Sequence, residues 1–344
     1  MSGTPSRRVP IEAQAVDAPL TSSATFLVLT VNAGVDAATT VRSVISGIDD
    51  IIKNVGFRDL DGQLSCTVAI GSQVWPRLTT QTRPPGLHPF KEFSGAKHTA
   101  PSTPGDLLFH IRANRQDLAF EFERQLLTAL GDAVTVVDET TGFRYFDVRD
   151  LLGFVDGTAN PVGNALAEST LIGDEDPGNA GGSYVVVQKY LHTLDQWESL
   201  TTEQQEAIIG RKKANNVELD DAETGQKSHK TLSTIVVDGV EHDILRDNMP
   251  FGSPGTSSFG TYFIGYSRYL WVIEKMLERM FIGDPPGLYD RLLDFSQAVT
   301  GCTFFAPSAD FLSGLADDPT PQPPAGPMSL DTYLGVGDPQ SASA

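Results

Sequence analysis

A chain of 344 residues is long for a single core and suits two domains of ordinary size. Hydrophobic residues make up 40% of it, so most of the chain can fold around buried apolar surface. Acidic residues outnumber basic ones by 44 to 25, and the formal charge of -19 repels nucleic acid and anionic lipid, which sets both aside as partners.

Residues 1–20 are rich in Pro, Ala and Ser and read as an arm. Arg7 and Arg8 are followed by Val9-Pro10-Ile11-Glu12 rather than an apolar stretch, a poor export signal. No apolar run approaches the roughly 20 residues needed to cross a bilayer, so the expected location is the cytoplasm. Phe26–Val31 predicts a strand, and Val41, Val44, Ile45, Ile48, Ile51, Ile52 and Val55 recur at helical spacing. Leu64–Ile70 predicts a strand, and a Pro-rich stretch through Pro104 leads to another at Leu107–Ile111. Phe120, Phe122, Leu126, Leu127 and Leu130 mark a helix ended by Gly131, and Ala133–Val137 a last strand. The order β-α-β-β-α-β is that of a ferredoxin-like unit, an antiparallel sheet with helices on one face.

A looser copy follows. Tyr184–Val187 and Tyr262–Tyr266 predict strands, Trp197–Ile209, Leu270–Phe281 and Leu292–Val299 helices, and Cys302–Phe305 the closing strand. A long insertion spans about Arg211 to Gly260, and long insertions in compact domains are commonly functional. The expected division is an arm at 1–20, units at 21–150 and 151–315, and a Pro-rich linker and tail at 316–344. Cys66 and Cys302 are too few for a zinc site or a disulfide framework and read as buried thiols.

Three patterns carry chemistry. In Gly153-Phe154-Val155-Asp156-Gly157-Thr158-Ala159-Asn160-Pro161, a tight backbone presents an acid. Asp-Gly alone is commonly just a turn. In His242-Asp243-Ile244-Leu245-Arg246-Asp247-Asn248, Arg246 alone could be a structural ion pair to Asp243 or Asp247. In Lys227-Ser228-His229-Lys230, His229 is one of six histidines, and spacing does not single it out.

The nine-residue string resembles the Gly-x-x-Asp-Gly motif of dye-decolourising peroxidases, and the resemblance, to the family's shorter branch, runs from about residue 21 to 315. It implies an α+β fold of two ferredoxin-like domains, dimeric α+β barrel-like, with the cofactor mainly in the second. It implies haem b, held non-covalently, since no Cys-x-x-Cys-His occurs. The implied activity is reduction of hydrogen peroxide and oxidation of an organic reductant, such as a dye or a phenolic compound, by one-electron steps through a ferryl intermediate. At matching positions the acid is Asp156. Arg246 lies above the haem, and Asn248, two residues on, helps hold the distal water network. His229 matches the iron ligand, with His242 as its rival; His229 is preferred because ligand and distal Arg need separate segments. An acceptor behind the ligating imidazole would strengthen it as a donor, and Asp294 is the candidate. Arg211 resembles the propionate-binding arginine. The branch implies a homo-oligomer, and Leu330–Gly337 resembles the peptides that load some members into encapsulin nanocompartments. Two rivals remain at this point. One is a chlorite dismutase-like or haem-modifying enzyme on the same scaffold, which would lack the Asp156 acid; the other is a non-enzymatic haem-binding cargo protein.

Overall fold

The computed structural model describes residues 12–220 and 224–319; the Leu330–Gly337 segment and the Arg7-Arg8 pair lie outside them. The first unit runs β1 (Ser23–Val31), α1 (Val35–Ser46), α2 (Ile48–Gly56), β2 (Ser65–Gly71), β3 (Leu107–Ala113), α3 (Gln116–Leu130) and β4 (Val134–Phe143). The second runs β5 (Ser183–His192), α4 (Thr202–Ile209), α5 (His229–Ser233), β6 (Leu245–Arg246), β7 (Met249–Ser253), β8 (Ser258–Ser267), α6 (Leu270–Phe281), β9 (Ser296–Ala298) and β10 (Cys302–Ala306).

The duplication is visible in the pairing. The strand order is β6-β8-β5-β10-β2-β3-β1-β4, with β7 on β8 and β9 on β5, and every ladder is antiparallel. The halves join where Phe304 and Phe305 of β10 pair with Gly71 and Ile70 of β2. At the other ends β4 and β7 approach, and a Cβ on Gly142 would lie 2.4 Å from that of Met249. No ladder joins these two strands among the described residues, so the expected barrel-like closure is not made by backbone pairing.

The continuous apolar runs of the central strands follow from burial on both faces. Side chains alternate across a sheet, so Leu27, Leu29 and Val31 enter one core while Phe26 and Val28 enter the other. The first core lies under the helices: α3 presents Leu118, Phe122 and Leu126, and α6 presents Ile273, Met276 and Leu277. The second holds a buried polar group. His110 Nδ1 and the Tyr266 hydroxyl are 2.9 Å apart, and Arg112 donates to Asp247 at 3.4 Å. Burial, with Arg112 nearby, keeps the His110 imidazole neutral by pushing its pKa well below the ordinary value.

Three helix expectations are corrected. The periodic run from Val41 to Val55 is two helices, broken at Gly47. Trp197–Ile209 is also broken: Thr201 caps a new helix by accepting from Gln204 N–H while the Gln204 side chain accepts from Thr201 N–H. Leu292–Val299 is not one helix, because Arg291–Asp294 is a single 3-10 turn leading directly into β9.

Candidate active site

The Asp156 loop is held by its own polar groups. Asp150 Oδ1 accepts from Phe154 N–H at 2.9 Å, with Gly153 at φ 91° between them. Gly157, at φ 74°, donates its N–H to Asp156 Oδ1 at 2.7 Å. Side chains rarely adopt either dihedral, which is why glycine stands at both positions. Further on, Asn160 Oδ1 accepts from Arg246 N–H at 2.9 Å and its Nδ2 donates to the Arg246 carbonyl at 2.7 Å.

Arg246 ends β6, paired with Gly265 of β8. Asn248 Oδ1 accepts from Ile264 N–H at 3.2 Å, and Nδ2 reaches Asp156 Oδ1 at 3.5 Å. Burial lowers the Arg246 pKa from its ordinary value, opposed by the carboxylates of Asp156 and Asp243. Asp156, Arg246 and Asn248 all line a cavity of about 500 Å³ and also a small adjoining one of about 30 Å³.

His229 enters the large cavity from the start of α5, whose Ser228 cap accepts from Thr231 N–H. Its Nδ1 lies 2.6 Å from Oδ2 of Asp290, a residue with no exposed surface. Burial works against charge on the imidazole, but the Asp290 carboxylate outweighs it and raises the pKa. This corrects the Asp294 expectation. Asp294 instead accepts from Lys97 at 2.5 Å, Tyr289 at 3.0 Å and Arg291 at 2.6 Å, with His98 Nε2 3.0 Å away. Burial opposes its ionisation, yet these donors hold its pKa well below the usual carboxylate range. The 3-10 turn explains the difference: Asp290, capping it through Leu292 N–H at 2.9 Å, faces inward, and Asp294 faces the first unit. Asp290 stands four residues before Asp294, and only the tight turn distinguishes them.

His242 also lines the cavity, edge-on to Trp271 with ring centroids 4.8 Å apart. The other histidines have different settings: His88 pairs with Glu274, His98 with Asp294 and His110 with Tyr266. His192, on the cavity wall between Thr261 and Ser296, is pushed down to about 4 by burial and stays neutral. Arg211 lines the wall, where it pairs with Glu218 and donates to the Asn216 carbonyl at 3.2 Å.

These residues fit haem. The volume falls in the usual range for cofactor sites. Phe263, Ile273, Met276, Leu277, Met280 and Leu293 supply apolar walls. An imidazole backed by a buried carboxylate is an iron ligand of the right type. Gln188 also lines the cavity, and its Nε2 is buried with no hydrogen-bond partner among the described residues.

Asp150 lines the same cavity, and burial, with Asp156 adding repulsion, pushes its carboxyl from 3.8 up to about 7. An acid with a raised folded pKa binds its proton more tightly when folded. Its stabilising contribution is complete below pH 3.8 and is lost as pH rises through about 7. The melting temperature of Asp150→Asn, compared with the parent across that window, is expected to fall less with rising pH. Parallel curves would contradict this.

Fold, cavity and donor set together define a haem protein built on paired ferredoxin-like units. The family model described as Dyp-type peroxidase, N-terminal, matches residues 13–144, and that described as Dyp-type peroxidase, C-terminal, matches residues 147–311. The chain belongs to the Dyp-type peroxidase family. A dye-decolorizing peroxidase of Mycolicibacterium paratuberculosis is 52% identical over 329 residues, covering 95% of this chain and 92% of the relative. The structure of DyPB from Rhodococcus jostii is 59% identical with a TM-score of 0.86, covering 89% of this chain and 99% of that one. An encapsulated DyP-type peroxidase from Mycobacterium smegmatis is 52% identical, with a TM-score of 0.86 over 91% of this chain and 99% of that one. The protein is a haem-dependent, dye-decolorizing peroxidase, and the chlorite dismutase-like, haem-modifying and non-enzymatic alternatives give way. Among the described residues no helix is long and apolar enough to cross a membrane.

Proposed function

We propose that the large cavity holds haem b with His229 as the iron ligand, and that Asp156, Arg246 and Asn248 handle hydrogen peroxide on the open side. The observation that carries this reading is that all four line one cavity while Asp290 backs His229. Bound there, haem supplies the redox chemistry that side chains lack.

The Asp290 carboxylate accepts the Nδ1 proton of His229, which leaves Nε2 to ligate and makes the imidazole a stronger donor. Asp156 takes the proton from one peroxide oxygen and returns it to the other. Arg246 places positive charge where the departing oxygen becomes negative. Asn248, anchored on Ile264, turns its amide nitrogen toward Asp156 and orients the carboxylate. Arg211, which pairs with Glu218 here, would hold a haem propionate. The adjoining small cavity has room for a peroxide molecule, since a water needs only about 10–15 Å³ measured this way. The reductant, a dye or phenol, donates one electron at a time and need not enter.

The haem site belongs to a unit at about 151–315, and the tail around Leu330–Gly337 attaches the enzyme to an encapsulin shell; the encapsulated mycobacterial relative supports the latter. Co-expression with a shell protein, with and without residues 328–344, tests both activity and tail. Each chain is expected to bleach an anthraquinone dye with peroxide, and only the full chain to co-purify with the shell. No bleaching by either would overturn the reaction. Shell capture of the shortened chain would overturn the tail.

A further inference from the structure

We propose that Asn160 is a positioning residue for the peroxide chemistry: its amide fixes the main chain of Arg246 against the loop that presents Asp156. This rests on the reading that Arg246 acts on peroxide. The two hydrogen bonds run in opposite senses to one residue, Arg246 N–H to Oδ1 at 2.9 Å and Nδ2 to the Arg246 carbonyl at 2.7 Å. They reproduce with a side chain the two-bond exchange of an antiparallel strand pair. β6 is only two residues long and pairs with β8 on one side, so its other edge would lack a partner at Arg246.

Asn160 is tied in turn to the acid. Its N–H donates to the Gly157 carbonyl at 3.1 Å, and Gly157 N–H donates to Asp156 Oδ1. A Cβ on Gly157 would only touch Asn160 Nδ2, at 3.4 Å, so it is the positive φ of 74° that asks for glycine at this turn. A short chain of bonds thus runs from the Asp156 carboxylate through Gly157 and Asn160 to the Arg246 backbone, its last link joining residues 86 apart in sequence. An amide is required because the contact needs one donor and one acceptor at once. Aspartate offers only the acceptor when ionised, and alanine neither.

The test uses the haem-loaded protein and two readouts, the rate of reaction with peroxide and the affinity of the ferric haem for fluoride read by absorption. Fluoride is a small anion that a correctly placed guanidinium stabilises without any turnover. Asn160→Ala is expected to lower both by about 10-fold, less than the roughly 100-fold of a full 1 Å misplacement. Asn160→Asp, which keeps the contact to Arg246 N–H, should fall between the two and serves if the alanine variant does not fold. In the Arg246→Leu background, Asn160→Ala should cost nothing further, because the residue acts through Arg246. Unchanged fluoride affinity in both Asn160 variants, or losses that simply add in the double variant, would overturn the positioning role. If Arg246→Leu itself leaves both readouts at the parent's values, the reading of Arg246 fails instead.

Discussion

Replacing Arg246 by leucine is expected to slow the reaction with hydrogen peroxide by roughly 10²–10³-fold, the usual loss when one preorganised electrostatic donor is removed. Replacing Asp156 by alanine is expected to slow it less. The ranking follows from what can substitute for each group. A proton can be carried between the two peroxide oxygens by water once the carboxylate is gone. The other arginines of the small cavity are committed elsewhere, Arg144 to the Thr21 carbonyl and Arg149 to those of Gly153 and Lys213, so neither readily replaces the Arg246 charge. Leucine keeps much of the side chain's bulk, so the cavity wall should survive. Stopped-flow rates at matched haem content check the order. A larger loss for Asp156→Ala than for Arg246→Leu would reverse the assignment of roles.

The second large effect is expected at Asp290, which the sequence does not single out. Asp290→Asn keeps the shape but removes the negative charge from His229 Nδ1, and outer partners of this kind commonly contribute 10–100-fold in metal affinity or activity. Haemin affinity or dye turnover should fall within that range, and the reduction potential should rise as the imidazole becomes a weaker donor. Asp294→Asn is the comparison. It weakens the cluster with Lys97, His98 and Arg291 that joins the units, and should leave the potential where it was. Equal shifts for the two variants would show that Asp290 acts only by packing.

The contrast between these carboxylates shows where the sequence stops being informative. Hydrophobic periodicity located seven of the ten strands of the main sheet, missing β6, β7 and β9, and the helices Gln116–Leu130 and Leu270–Phe281, because each of these buries one regular face. It failed where short-range polar bonds override periodicity: Gly47 ends one helix, the Thr201–Gln204 capping box starts another, and Asp290 caps a tight turn. The last of these rotated the choice from Asp290 to Asp294. The motif around Asp156 located the acid, and the spacing of Arg246 and Asn248 located their segment. The Asn160 contact was not legible, since nothing local in Thr-Ala-Asn-Pro points to a partner 86 residues away. Nor was the pairing of Arg112 with Asp247, which depends on how the second unit's strands lie across the first.

The central claim is that one cavity holds a haem ligated by His229, with Asp156 and Arg246 facing the peroxide. An absorption spectrum of haemin-loaded protein, before and after one equivalent of hydrogen peroxide, for the parent and for His229→Ala, tests it most directly. The parent should take up haemin and change its spectrum at once, and the variant should bind haemin weakly with an altered ferric spectrum. A parent that refuses haemin, or a variant whose spectra match the parent's before and after peroxide, would contradict the account.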